Sequence, residues 1–318
     1  MCSFRGITPG ALEAAGAPIS REPQEVTMGK RATAARTAFG PMVIVACEQY
    51  LPEPQRLIRD NLALRFLPPA VRLLTGACKW GFVRQALMNK AEKSAPGGWA
   101  GIACRKRYID DKVSEAVAAG IDSVVVLGAG LDTLACRLVA RADVHAYEVD
   151  LPSNIEYKQA GMRATYGRVP RGVALVPVDF ETDDLGNALV KNGLRIEKAT
   201  MFVWEAVTQY LTEEGVRKTL AFLSKAGAGS RMVFTYVRKD FLDGADFYGA
   251  QQIYKRFVAG RVWHFGLAPE KVRAFLSEYG WTERGQAGRS EFASRYVEPA
   301  GRHLPVFGIE RCVYAEKL

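Results

Sequence analysis

The chain is short of the side chains that most often carry metal and nucleophilic chemistry. Only three histidines occur in 318 residues, His145, His264 and His303. The six cysteines, at 2, 47, 78, 104, 136 and 312, include no Cys-x-x-Cys pair and no His/Cys cluster with zinc spacing. No metal site and no disulfide framework are expected; the cysteines read as small buried hydrophobes in a reducing compartment. Long apolar runs are also missing. The longest early one, Pro41–Cys47, is far too short to span a bilayer, and Glu13 and Arg21 break the apolar patches of the first residues, so no secretory signal is read. A soluble cytoplasmic protein is expected, with no transmembrane segment. Internal repeats and low-complexity segments are absent.

Acids are outnumbered, with 34 Asp and Glu against 43 Lys and Arg, a net charge of +9. The excess is local. Twelve basic residues lie between Arg56 and Lys112 and only four acids oppose them, Asp60, Glu92, Asp110 and Asp111. Such a region suits an anionic substrate or a membrane surface. The plainer reading is a solvated basic face. Without interleaved aromatics it does not resemble an RNA reader, and no nucleic-acid partner is expected.

What is present centres on residues 121–133, Ile-Asp-Ser-Val-Val-Val-Leu-Gly-Ala-Gly-Leu-Asp-Thr. Ser123–Leu127 lacks polar alternation and reads as a strand buried on both faces of a parallel sheet. Gly128 and Gly130 end it in a turn that lets the backbone approach a ligand closely. Asp132 or Thr133 caps a following helix. Strand, glycine turn and helix N-terminus together suggest a nucleotide-type site. The third glycine position of a dinucleotide fingerprint is occupied by Thr133, and a tight turn without a ligand is the alternative.

Around this stretch the chain divides into a flexible N-terminal arm over 1–30, with Met28 as an alternative start, a helical cap over 31–115 and an α/β domain over 116–318. The cap reads as helices at Ala32–Tyr50, Pro54–Arg65, Val71–Met88 and Ala103–Ala119. Strands are predicted at Ser123–Leu127, Asp143–Val149, Gly172–Val178, Thr200–Trp204, Arg231–Val237, Thr282–Gly285 and Val306–Ala315. Helices fall between them, including one capped by Thr212 and one over Ala268–Tyr279. Residues 238–270 are rich in aromatics and interrupt the alternation, as an inserted lid would.

Acids recur at the strand ends. Glu148 and Asp150 close the second strand, Asp179 the third and Glu205 the fourth, so a doubly wound sheet gathers them with Gly128 and Gly130 round one crevice. A pyrophosphate is poorly served by so many carboxylates. A cationic nucleoside with a ribose and an ammonium is well served, and S-adenosylmethionine fits. Its carboxylate would want a cation, for which Arg105 or Arg107 is available. The plainer readings are that Asp179 caps a helix, that Glu205 is solvated, and that Arg105 and Arg107 pair with Asp110 and Asp111 on their own helix.

These segments resemble the leucine carboxyl methyltransferase family. The likeness lies in Val-Val-Val-Leu-Gly-Ala-Gly-Leu-Asp-Thr (124–133), in Tyr-Glu-Val-Asp-Leu-Pro (147–152) followed by Lys158, and in Phe-Val-Trp-Glu-Ala-Val-Thr-Gln-Tyr-Leu (202–211). Arg105-Lys-Arg-Tyr-Ile-Asp110 and Trp263-His-Phe-Gly-Leu267, with Gly280-Trp281, add to it, over roughly residues 30–318. Leu134 stands where the family usually has Arg, and Asp179-Phe180 replaces an Asp-Leu pair. The resemblance implies a class I methyltransferase fold, Rossmann-like, with a seven-stranded, mostly parallel sheet whose last strand is antiparallel, and S-adenosylmethionine as cofactor. It implies that Arg107, with Arg105 as rival, holds the cofactor carboxylate and that Gly128 lies under the methionine portion. Asp150, with Glu148 nearby, would bind the ribose. Asp179 and Phe180 would border the adenine, and Glu205 the methionine side.

The function read from the sequence is S-adenosylmethionine-dependent O-methylation of a carboxylate or hydroxyl on a small molecule, an anionic one among the options. A carboxylate needs no base, whereas a hydroxyl usually does. His264, in the aromatic segment, and Tyr210, shortly after Glu205, are the candidates for a catalytic group. The rival readings are an NAD(P)-dependent oxidoreductase and a non-catalytic cofactor-binding module.

Overall fold

Residues 39–318 are described by a computed structural model. The N-terminal arm over 1–30, Met28 and the beginning of the helix predicted from Ala32 lie outside the described residues. Four helices lead the described chain: α1 (Phe39–Glu48), α2 (Pro69–Gly76), α3 (Gly81–Ser94) and α4 (Gly98–Ala118). The alternating part follows as β1 (Ser123–Leu127), α5 (Leu134–Val139), β2 (His145–Asp150), α6 (Pro152–Tyr166) and β3 (Val173–Pro177). It continues with α7 (Leu185–Lys191), β4 (Thr200–Trp204), α8 (Glu213–Leu223) and β5 (Arg231–Arg238). The last elements are β6 (Gly266–Leu267), α9 (Val272–Ser277), β7 (Trp281–Ala287) and β8 (Glu310–Lys317).

The sheet runs β3-β2-β1-β4-β5-β8-β7, with the short β6 added beside β5. Strands β1 to β5 pair in parallel, and β8 enters antiparallel between β5 and β7. The seven-stranded sheet that the sequence predicts has eight strands among the described residues; the addition is the two-residue pairing of Gly266 and Leu267 with Val237 and Arg238. The strand order changes direction at β1, so the carboxyl ends of β1 and β4 flank the topological switch point, where open α/β sheets bind ligands.

Strand β1 shows why an unbroken apolar run folds this way. Successive side chains face opposite sides of a sheet. Val124 and Val126 enter the core shared with α1 and α4, while Val125 and Leu127 enter the core beneath Phe202 and Trp204. The first core joins Val45, Trp99 and Ile109 of the leading helices to Val124 and Val203 of the sheet. The helices and the sheet are therefore packed on one another.

The helix expected over Pro54–Arg65 is absent. That segment holds a 3-10 turn at Glu53–Gln55 and one helical turn at Ala63–Phe66. Side chains take the backbone donors that a helix would use internally. Glu48 accepts from Leu57 N at 2.9 Å, Gln49 from Asp60 N at 3.0 Å, and Asp60 from Leu62 N and Ala63 N at 2.9 and 3.0 Å. The helix expected at Ala268–Tyr279 shortens to a 3-10 turn, Pro269–Lys271, and α9. Between β5 and β6 the aromatic stretch forms short turns, Lys239–Leu242, Gln251–Ile253 and a π-helical Tyr254–Val258. The cap at Thr212 is present: its hydroxyl accepts from Gly215 N at 3.0 Å. Cys47, Cys78, Cys104, Cys136 and Cys312 are free and buried, and burial pushes the Cys104 and Cys136 thiols up to about 12.

Glu48 ties distant segments together. Fully buried, it accepts from Trp99 Nε1 at 2.7 Å and from Arg302 at 2.7 Å, besides Leu57 N. Removing one partner of a buried charge pair leaves the other uncompensated. Glu48→Ala is expected to cost about 3–5 kcal/mol of unfolding free energy, read from equilibrium urea denaturation; a loss within the noise of that measurement would mean Arg302 is solvated.

Candidate functional site

A cavity of about 840 Å³ opens at the carboxyl ends of β1, β2 and β4. Its lining includes Gly128, Gly130, Asp150, Asp179, Phe180 and Glu205, as the sequence suggested, and also Tyr210 and His264. Its charge balance runs against that of the chain. Six carboxylates line it, Asp132, Asp150, Asp179, Glu181, Glu205 and Glu310, against the cations Arg105, Lys106 and Arg256.

The glycine turn is built by its neighbours. Gly128 N and Ala129 N donate to Val149 O at 2.8 and 3.0 Å, which holds the turn against β2. Gly128 has φ +73°, and a Cβ there would stand 2.1 Å from Val207 Cγ2, so no side chain fits. Gly130 N donates to Asp150 Oδ2 at 2.6 Å. The other Asp150 oxygen accepts from Leu151 N and from Asn154 Nδ2, both at 2.7 Å. A carboxylate offers about four acceptor directions, so these three bonds leave Asp150, a lining residue of the cavity, one acceptor direction. Asp132 caps the next helix by accepting from Leu134 N at 2.6 Å. Thr133 turns away and donates to Asp60 at 2.6 Å.

Helix α4 supplies two of the three cations. Arg105 Nε donates to Glu205 at 2.8 Å and Nη1 to Glu310 at 2.6 Å. Lys106 Nζ pairs with Asp132, and with Glu205 at 3.1 Å. Burial works against both cations. Glu310 and Glu205 outweigh it at Arg105, and Asp132 and Glu205 at Lys106, so both are held above their ordinary values. Burial likewise opposes the Asp132 charge, but Lys106, Arg137 and Lys158 together hold that carboxyl below its usual range.

Two residues expected at the cofactor lie elsewhere. Arg107 is outside the cavity lining; it pairs with Asp111 at 2.9 Å one turn along its helix and faces the Tyr296 ring. The plainer reading of Arg107 therefore describes it, whereas Arg105 faces the cavity. Glu148 is also outside the lining, fully buried, with its Oε1 2.8 Å from Lys158 Nζ. Burial pushes its carboxyl up to about 7 against the pull of Lys158. Lys158 in turn donates to Ala129 O at 3.1 Å. The pair thus braces the glycine turn from behind.

The residue after Glu205 is strained. Ala206 has φ +56°, a region an alanine rarely occupies. Thr235 of β5 pins it, its hydroxyl accepting from Ala206 N at 2.8 Å while its carbonyl accepts from Thr208 Oγ1 at 2.7 Å. The opposite wall is aromatic. Trp263 stacks on Phe257 with centroids 4.8 Å apart, Tyr210 meets Trp263 edge-on at 6.2 Å, and His264 N donates to Gln209 O at 2.7 Å. Sequence reading missed Lys106, Asp132 and Glu310 as parts of this site. Glu310 opens β8 opposite Val237, which places it at the sheet edge where the parallel strands end; with Arg311, Glu316 and Lys317 also charged, nothing in the strand's own sequence singles it out.

Comparison with known proteins is consistent with this architecture. The sequence profile described as leucine carboxyl methyltransferase matches residues 38–224. A relative in Mycobacterium avium, provisionally named an S-adenosyl-L-methionine-dependent methyltransferase, is 35% identical over 134 residues, 42% of this chain and 42% of its own. One in Streptomyces coelicolor with the same provisional name is 29% identical over 188 residues, 57% of this chain and 62% of its own. The chain thus matches less than two thirds of the length of these relatives. A solved structure from Thermobifida fusca, provisionally named a methyltransferase, superposes with TM-score 0.55 at 18% identity, covering 74% of this chain and 88% of that one. The likeness to the solved structure is one of fold.

The pair behind the turn gives a pH-dependent expectation. The folded-state value of Glu148, about 7, lies above its ordinary 4.5. The folded chain holds a proton there that the unfolded chain has released, so this group's contribution to stability falls as pH rises through that window. Lys158 limits the fall. Lys158→Met is expected to cost about 3–5 kcal/mol at pH values above about 7, and less near pH 5 where Glu148 carries its proton. Urea unfolding at the two pH values reads the difference; an equal cost at both would contradict the pairing.

Proposed function

This chain belongs to the leucine carboxyl methyltransferase family, and we propose that it is an S-adenosylmethionine-dependent O-methyltransferase acting on a small molecule. The observation that carries this reading is an acid-rich cavity beside a glycine turn, within a protein of net charge +9. An excess of carboxylates favours a cation over a pyrophosphate, which argues for a sulfonium nucleoside rather than a nicotinamide dinucleotide. Bound there, the cofactor supplies an electrophilic methyl carbon.

Each residue then has a task. Arg105 takes the cofactor carboxylate through Nη2, the nitrogen engaged by neither Glu205 nor Glu310. Gly128 and Gly130 give clearance for the amino-acid portion. Asp150 offers its remaining acceptor direction to the ribose. Asp179 and Phe180 border the adenine, and Glu205 lines the methionine side while fixing Arg105 and Lys106. Trp263 and Phe257 keep water from the acceptor half of the cavity. Displacement at a methyl carbon asks the protein mainly to align two reactants. Of the two oxygen nucleophiles, the surplus of carboxylates favours a hydroxyl over a carboxylate acceptor. Tyr210 and His264 stand nearest to that role as lining residues.

Calorimetry with S-adenosylmethionine and with NADH tests the reading: binding of the first and not the second is expected, and the reverse would overturn it. In the same titration Arg105→Met is expected to lose about 1.5–3 kcal/mol, roughly 10- to 150-fold in affinity, while Arg107→Ala stays within roughly twofold of the parent. A larger loss at Arg107 would exchange the two roles. Transfer of labelled methyl from the cofactor into a small-molecule fraction of a cell extract would identify the acceptor class.

A further inference from the structure

Large apolar side chains are exposed in one corner of the leading helices. Leu73 and Leu74 on α2 are 78% and 73% exposed, and Trp80 and Phe82 at the start of α3 are 52% and 76% exposed. Half of the eight large apolar side chains exposed among the described residues thus fall within ten residues of chain. The corner is well formed. A 3-10 turn at Ala77–Lys79 joins the two helices, and Arg84 donates to Cys78 O at 2.9 Å to close it.

The exposed charge of residues 69–94 has one sign. Arg72, Lys79, Lys90 and Lys93 are exposed, and Lys79 Nζ stands 4.8 Å above the Trp80 ring. The single acid of residues 69–94, Glu92, is turned inward, accepting from Gly97 N at 2.6 Å and Trp99 N at 3.3 Å. Protruding Leu, Trp and Phe set among cations are the features of a surface that enters the interface of an anionic bilayer. A protein partner of ordinary mixed charge is poorly served by the cations of this segment. No described helix is long and apolar enough to cross a membrane, so the contact is a peripheral one.

We infer that the Leu73–Phe82 corner docks this protein onto an anionic phospholipid surface. The helix behind it, α3, leads directly into Ala95 and Pro96, which line the cavity. The inference does not depend on the cofactor or on the identity of the acceptor.

Co-sedimentation of the full chain with vesicles tests it, using phosphatidylcholine alone and phosphatidylcholine mixed with phosphatidylglycerol. Binding to the mixed vesicles only, weakening as salt is raised, is expected. The pair Trp80→Ser with Phe82→Ser, and the pair Leu73→Ser with Leu74→Ser, should each lower the partition roughly tenfold or more. Lys79→Glu, which leaves the apolar corner intact, should lower it roughly fivefold or more. Because every altered side chain is exposed, thermal melts should match the parent. Absence of binding, equal binding to neutral vesicles, or unchanged binding by these variants would overturn the inference. So would a dimer that the serine variants convert to monomer, which would assign the face to a second copy. Binding that appears only after removal of residues 1–38 would assign it to the chain's own N-terminal segment and overturn it too.

Discussion

Glu205 is the point on which the cavity depends. Its two oxygens hold two different cations of one helix, Arg105 at 2.8 Å and Lys106 at 3.1 Å. Those cations reach onward to Glu310 and Asp132. A strand end, a helix, a glycine turn and an antiparallel strand are thus joined through one carboxylate. Removing so many charges from water is costly, and buried ion pairs contribute little net stability against well-packed apolar alternatives. What the arrangement provides is fixed placement, with charged edges aimed at one space. The strained Ala206 next to it, held by Thr235, belongs to the same pattern of local cost at a functional position.

The glycine turn is fixed independently, from behind. Val149 carbonyl, the Asp150 carboxylate and the Lys158 ammonium each hold a different atom of residues 128–130. Glu148 keeps Lys158 in place, and neither of the pair lines the cavity. The backbone of the floor is set by these buried contacts, while the cavity wall is set by ion pairs that a ligand can compete for.

Much of this was legible in the sequence because periodicity is local. The uninterrupted Ser123–Leu127 run, the glycines after it and the acids closing later strands follow from strand burial and sheet topology alone, and they locate the crevice. The choice between Arg105 and Arg107 did not follow. Successive residues of a helix turn by about 100°, so Arg107 lies roughly 200° round the helix from Arg105; Arg105 and Lys106 both reach Glu205 while Arg107 turns to Asp111. Which face meets the sheet is decided by Trp99, Ile109 and Val113 packing on the core, a tertiary fact. Glu148 misled for a related reason: strand alternation turns Glu148 and Asp150 to the same side, and only the depth of Lys158 separates a structural acid from one at the cavity. The Pro54–Arg65 segment resembled a helix in its apolar spacing, yet Glu48, Gln49 and Asp60 took its backbone donors.

The most direct measurement is a double-mutant cycle between Arg105 and Glu205, with Arg105→Met, Glu205→Gln and the double variant compared in equilibrium urea unfolding. If Glu205 is the joint of the cavity, the coupling energy should be about 2 kcal/mol. Costs that simply add, with a coupling below about 0.5 kcal/mol, would contradict it.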